Sequence, residues 1–159
     1  MNTASVAALR KCTLFSSLGD GEASLVFSNP AVCEQYFKKG ELIFGHDSFR
    51  NALGIIIKGS ARVKKGSDTL MSSLSPGSVF GMPLLFCDCG EFPTEITAVT
   101  DCCAVFFEKS YAEGLFTANP ALARAYISLL SNRIHFLSLK IDTFVSPDVR
   151  SRLLCFLEG

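Results

Sequence analysis

Leu53-Gly54-Ile55-Ile56-Ile57-Lys58-Gly59-Ser60-Ala61-Arg62-Val63-Lys64 reads as a strand, a turn and a second strand. Branching at Cβ restricts isoleucine in a helix and packs well on a pleated surface, so residues 53–57 favour an extended chain. Lys58-Gly59-Ser60 then turns the chain back, and Ala61-Arg62-Val63-Lys64 alternates apolar and charged positions, the pattern of a return strand with one buried face. Outward from this pair, short apolar runs broken by glycine, aspartate, serine and proline predict strands at 32–37, 41–44, 53–58, 60–65, 69–74, 94–99 and 103–108. So many short strands with tight turns imply a closed or two-sheet antiparallel structure, because closure removes exposed edges. Residues 5–29 read as two short helical stretches around Leu14-Phe15, placed on the outside of the barrel.

The chain changes character at Asn119. Asparagine is a good N-cap, since its side chain accepts from unpaired first-turn amides, and Pro120 has its φ already set for a helix. Beyond it Ile127, Leu130, Ile134, Leu137, Ile141 and Phe144 recur at steps of three and four, the stripe that buries a seam between two helices. A second apolar line, Leu122, Tyr126, Leu129 and Phe136, lies on another face. One face can pack on the chain's own barrel and the other needs a partner, which predicts a homodimer. Val145-Ser146-Pro147-Asp148 then starts a further helix that runs to Gly159 with nothing left to pack against, the expected first element of a missing domain.

Composition limits the functions available. The chain has 159 residues, and its 15 basic and 15 acidic side chains cancel, so it carries no excess positive field for a phosphate backbone. No signal peptide and no apolar run of bilayer-spanning length is present, which leads to the expectation of a soluble, cytoplasmic protein without membrane contact. Seven cysteines, an odd number in a chain able to build a real core, are read as reduced thiols. Nucleophile elbow, Walker loop, dinucleotide glycine pattern and metalloprotease helix are all missing, and His46-Asp47 reads as turn chemistry, so no catalytic residue and no metal ligand is assigned.

Five pieces in order, Leu14-Phe15-Ser16-Ser17-Leu18, Phe37-Lys38-Lys39-Gly40-Glu41-Leu42-Ile43-Phe44, Ile55-Ile56-Ile57-Lys58-Gly59-Ser60-Ala61-Arg62-Val63, Leu74-Ser75-Pro76-Gly77-Ser78-Val79-Phe80-Gly81 and the helix from Asn119-Pro120, resemble the effector-and-dimerisation half of the Crp/Fnr family of bacterial transcription regulators. The resemblance implies a mainly β fold with flanking helices: a double-stranded β-helix, or jelly roll, of the cyclic-nucleotide-binding kind, followed by a long dimerisation helix. It further implies an effector barrel at 1–117, a dimerisation helix at 118–145 and, at 146–159, the start of a helix-turn-helix domain absent from this chain, through which alone DNA would be bound.

Relatives that bind cyclic AMP share a cassette in which glycine precedes a glutamate for the ribose hydroxyl, with an arginine further on for the phosphate. Here Gly81 is kept, Met82 stands at the glutamate position and Phe92 at the arginine position. A buried phosphate without its guanidinium loses two-pronged, charge-assisted hydrogen bonds, so the effector is expected to be an unidentified apolar or aromatic small molecule instead. The candidate lining is Phe80, Gly81, Met82, Pro83, Leu84, Leu85, Phe92, Thr94 and Ile96, with Phe86 and Thr97 beside it. No cofactor is named by the sequence. His46 and His135 are isolated, which disfavours haem, and Cys12 and Cys33 are too far apart for the family's iron-sulfur cluster. Cys87 and Cys89 are a candidate redox pair, and Cys102-Cys103, adjacent in a strand, should face opposite ways. The alternative is a dimeric interaction module that binds no effector.

Overall fold

The computed structural model describes residues 3–10, 12–45, 51–65, 69–87 and 94–144. Helix α1 (Thr3–Arg10), a single helical turn (Thr13–Phe15) and α2 (Asp20–Phe27) come first. The strands are β1 (Val32–Phe37), β2 (Leu42–Phe44), β3 (Ala52–Lys58), β4 (Ala61–Lys65), β5 (Thr69–Leu74), β6 (Val79–Phe80), β7 (Glu95–Ala98) and β8 (Cys102–Glu108). Helix α3 (Met82–Phe86) separates β6 from β7, and α4 (Lys109–Ala118) and α5 (Pro120–Phe144) follow β8. The predicted strands match these bounds to within one residue at either end; β6, α3 and α4 went unread.

The strands form two antiparallel four-stranded sheets, ordered β1-β8-β3-β6 and β2-β7-β4-β5. This corrects the expected hairpin: β3 and β4 do not pair. Six of the seven residues of β3 are buried, so the strand needs cover on both faces and lies between β8 and β6. Arg62 points out of β4 between buried Ala61 and Val63, so β4 has one apolar face and joins the other sheet between β5 and β7. Gly59, at φ +83°, hands the chain across; a Cβ there would lie 2.3 Å from the Asp101 carbonyl oxygen.

Two apolar layers result. Leu53, Ile55 and Ile57 of β3 and Cys103, Val105 and Phe107 of β8 face the helices, meeting Leu9, Phe15, Phe27, Phe116 and Leu122. Between the sheets lie Ala52, Ile56, Cys102, Ala104 and Phe106 with Phe44, Val63, Phe80, Leu84 and Ile96. Alternate residues of each central strand therefore feed different layers, and Cys102 and Cys103 part as expected. α1 and α2 cover the outer face of the first sheet, where Ser5 donates to Glu34 at 2.7 Å.

α5 starts where the cap predicts: the Asn119 side-chain oxygen accepts from the amides of Ala121 and Leu122 at 3.0 and 3.2 Å. Leu122 and Tyr126 are buried, and Leu129 and Leu130 pack on the outer core. The expected helix at 146–159 lies outside the described residues.

Candidate functional site

The cassette turn begins at Gly81. Its φ is +75°, and a Cβ would stand 2.6 Å from the Ala52 carbonyl oxygen, so glycine alone lets the chain turn this close to β3. α3 follows, its first turn containing Pro83 and closed by the Leu84 amide donating to the Gly81 carbonyl at 3.1 Å. Proline has no N–H, so this turn offers an anion one donor fewer than an ordinary helix start.

The nine expected lining residues divide among layers. Phe80, Leu84 and Ile96 meet between the sheets, and Gly81 is buried at the turn. Leu85 belongs to the layer under the helices, Met82 packs half-buried against it, Pro83 is exposed and Thr94 is half-buried ahead of β7. Phe92 lies outside the described residues. The division follows from α3 being helical: successive side chains leave about 100° apart, so they cannot line one cavity. Thr97 sits between inward-facing Ile96 and Ala98 and so turns away from the interior.

Phenylalanine rings pack the space between the sheets. Phe80 meets Phe44 and Phe106 edge-on, with ring centroids 5.8 and 5.7 Å apart, and Phe37 reaches Phe106 at 6.3 Å. The far end of the Phe80 ring lies against Gly54, where a Cβ would fall 2.1 Å from it.

Tyr126 joins the cassette to the long helix. Its hydroxyl donates to the Met82 carbonyl, and its ring lies 5.6 Å from Phe86 and 4.7 Å from Phe116. Burial pushes its pKa up to about 12, so the phenol keeps the proton it donates at neutral pH. One heptad further on, Arg133 donates to the Ser72 hydroxyl of β5 at 3.0 Å and stacks its guanidinium 5.6 Å over the Phe136 ring. The sequence reading passed over both contacts. A signal was there, because Arg133 falls on the line of Leu122, Tyr126 and Leu129 where the pattern calls for another apolar residue.

Of the expected seam, Ile127 is 61% and Ile134 is 64% exposed, while Leu130 and Leu137 are half-buried. The side chains of Ile141 and Phe144 lie outside the described part. His135 is exposed on α5, and His46 lies outside the described residues.

Cys12, Cys33, Cys102 and Cys103 are free. Burial pushes the Cys12 thiol above its ordinary value, and burial together with the hydrogen bond to Glu34 pushes Cys103 to about 12, so neither is a thiolate at neutral pH. Cys87 departs from the expectation of reduced thiols: it is disulfide-bonded, its partner outside the described residues, as is Cys89. Among the described residues no three histidine, cysteine or acidic side chains are grouped to hold a metal. None of the described helices is long and apolar enough to cross a membrane.

Two antiparallel sheets closed over an apolar interior, a short glycine-led helix after β6 and a long helix behind α4 define a jelly-roll domain with flanking helices. The chain belongs to the cyclic nucleotide-binding domain family, whose model matches residues 34–119, more than half of the sequence. Among solved structures it is similar to the catabolite activator protein of Thermus thermophilus, with 25% identity and a TM-score of 0.71 over 82% of this chain and 62% of that one. It is also similar to the sensor domain of the transcriptional regulator DNR from Pseudomonas aeruginosa (18% identity, TM-score 0.69, 82% and 93% of the two chains). A variant of CooA from Carboxydothermus hydrogenoformans matches at 21% identity and TM-score 0.69 over 99% and 97%. The chain thus spans less than two thirds of the Thermus protein. No curated protein matches it significantly.

Proposed function

We propose that this chain is the sensing and dimerisation region of a Crp/Fnr-like transcription regulator whose effector is not a cyclic nucleotide. The observation that carries the reading is the double use of α5: one face is docked on the barrel through Leu122 and Tyr126, the other leaves Ile127 and Ile134 in water. A second copy would cover that second face, with residues 118–145 as the dimerisation segment and 1–117 as the effector domain. DNA would be contacted only through a domain that follows, as the likeness to the catabolite activator protein suggests.

An effector at the cassette would act through Tyr126. The Met82 carbonyl and the Phe86 ring both touch that side chain, so a ligand that displaces α3 changes where α5 sits. Such a ligand shifts the helices only by its difference in affinity for the two arrangements. Against a cyclic nucleotide stand Met82, Pro83 and the phenylalanine-packed interior; in favour of an apolar body stand Phe80, Leu84 and Ile96. A redox input is a second reading, favoured by the disulfide at Cys87, next to Phe86 in the Tyr126 stack. Thermal shift against apolar and aromatic compounds, haem and thiol redox buffers tests the reading. A true effector at a hundred times its Kd should stabilise the fold by about 2.7 kcal/mol. A midpoint that moves with none of them would favour an interaction module without an effector.

A further inference from the structure

We infer that the outer face of the first sheet carries a second binding site, which takes a single-ring aromatic carboxylate between Tyr36 of β1 and Lys58 of β3. None of its residues belongs to the cassette or to α5, so the site stands apart from the effector reading above. Tyr36 lies opposite Cys103 of β8, and Cys103 lies opposite Lys58, so the three form one row across three strands. Directly paired residues share a face, and Cys103 belongs to the layer on the helix side, which sets Tyr36 and Lys58 on that side too. Lys58 is there because the β3–β8 register slips between Ile56 and Lys58. An unbroken register would have placed it opposite Cys102, on the face turned to the second sheet. A bulge is how a strand re-aims one side chain, and here it brings a lysine to the wall of a cavity.

The row lines a cavity of about 190 Å³, to which Phe37, Cys102 and the Lys38–Asp101 pair also contribute. Both thiols already donate, Cys102 to the Ser60 carbonyl at 3.0 Å and Cys103 to Glu34 at 3.3 Å, so they offer a guest sulfur rather than hydrogen bonds. The Tyr36 ring is 68% exposed, and its hydroxyl, donating to Glu34 at 2.8 Å, holds it in place as a stacking wall. The charges decide the rest. Asp101 accepts from the Lys39 amide at 3.0 Å and the Lys38 amine at 3.1 Å, and these bonds, the amide first, hold its pKa below the ordinary value. Asp101 is thereby neutralised by Lys38, while Lys58 has no ion-pair partner among the described residues. One unmatched ammonium beside an aromatic wall selects a flat ring with one negative charge. A space below the roughly 300–1,000 Å³ of drug-sized sites limits the guest to a single ring.

The test is a chemical-shift titration of the isotope-labelled full chain with benzoate, benzamide and benzylamine. Benzoate should move the amides of Tyr36, Gly59 and Cys103 and bind about fivefold more tightly than benzamide, the most that an exposed ion pair supplies, with benzylamine weakest. Raising the salt from about 0.05 to about 0.5 M should erase the preference for benzoate. Lys58→Gln should erase it too, while Lys58→Arg should keep it. Tyr36→Ala should weaken benzoate and benzamide alike, by about fivefold, and leave their ratio unchanged. Benzamide binding as well as benzoate, an unchanged ratio in Lys58→Gln, or shifts confined to the cassette amides would overturn the assignment, as would no shift from any of the three. Tyr36 and Lys58 are both exposed, so the variants should fold, and the dispersion of their free spectra checks it.

Discussion

Phe80→Ala is expected to lower stability by about 3–5 kcal/mol, a fall of roughly 10 °C in the thermal midpoint for a domain of this size. Phe80 is 5% exposed and meets Phe44 and Phe106 edge-on, so truncation removes two aromatic contacts and leaves a cavity between two sheets. The gap is hard to fill, because β6 is held in the first sheet by its ladder with Gly54 and Ile55 of β3 and the surrounding backbone can relax only by breaking such pairings. The bare glycine beneath the ring exists to admit it, and with the ring gone that space stays empty. A midpoint within about 3 °C of wild type would mean that the interior can repack or is already open to solvent.

The second large effect concerns the outer face of α5. Replacing Ile127 and Ile134 together with glutamate should convert a dimer into monomers, with dissociation strengthened about a thousandfold or more. Both side chains are more than 60% exposed in the single chain, so the substitutions cost the monomer little. In a dimer joined by this stripe the four carboxylates of a symmetric pair would be desolvated beside one another, and about 4 kcal/mol already amounts to a thousandfold. Sedimentation velocity reads the change. An unaltered profile with intact helical signal would remove the seam from the account.

Much of the fold is legible in the sequence because it is written in local patterns. Asn119-Pro120 announces α5 through the two amides that the asparagine oxygen then accepts. The alternation Ala61-Arg62-Val63 declares a one-sided strand, and the isoleucine run of β3 an extended chain. What the run could not declare is its neighbours. A turn at Gly59 looks the same whether it closes a hairpin or carries the chain to another sheet, and only the contacts with Asp101 and Cys102 decide for the second. β6 is two residues long and has no period to read. α3 is short and apolar throughout, so its lining residues read as one list when the helix sends Leu84 and Leu85 into different layers.

The site was less legible for a physical reason. The sequence can be searched for charges at the positions where a nucleotide needs them, and Met82 and Phe92 answer that search. It cannot show which distant side chains the fold brings up to the barrel and the cassette. Arg133 reaches Ser72 across 61 residues of chain, and Tyr126 reaches Met82 across 44. Such contacts depend on where α5 crosses the barrel, which no spacing encodes. The sequence marks Cys87 and Cys89 as a candidate redox pair, while the odd cysteine count makes reduced thiols the default from which the disulfide at Cys87 departs.

The central claim is that this member of the cyclic nucleotide-binding family has given up the nucleotide. Calorimetric titration of cyclic AMP into the full chain tests it most directly. Without the cassette glutamate and arginine, affinity should be weaker than about 1 mM, and no saturable heat should appear below that concentration. Saturable binding with a Kd of about 10 µM or tighter would show that the barrel still holds the cyclic phosphate, and would contradict the account.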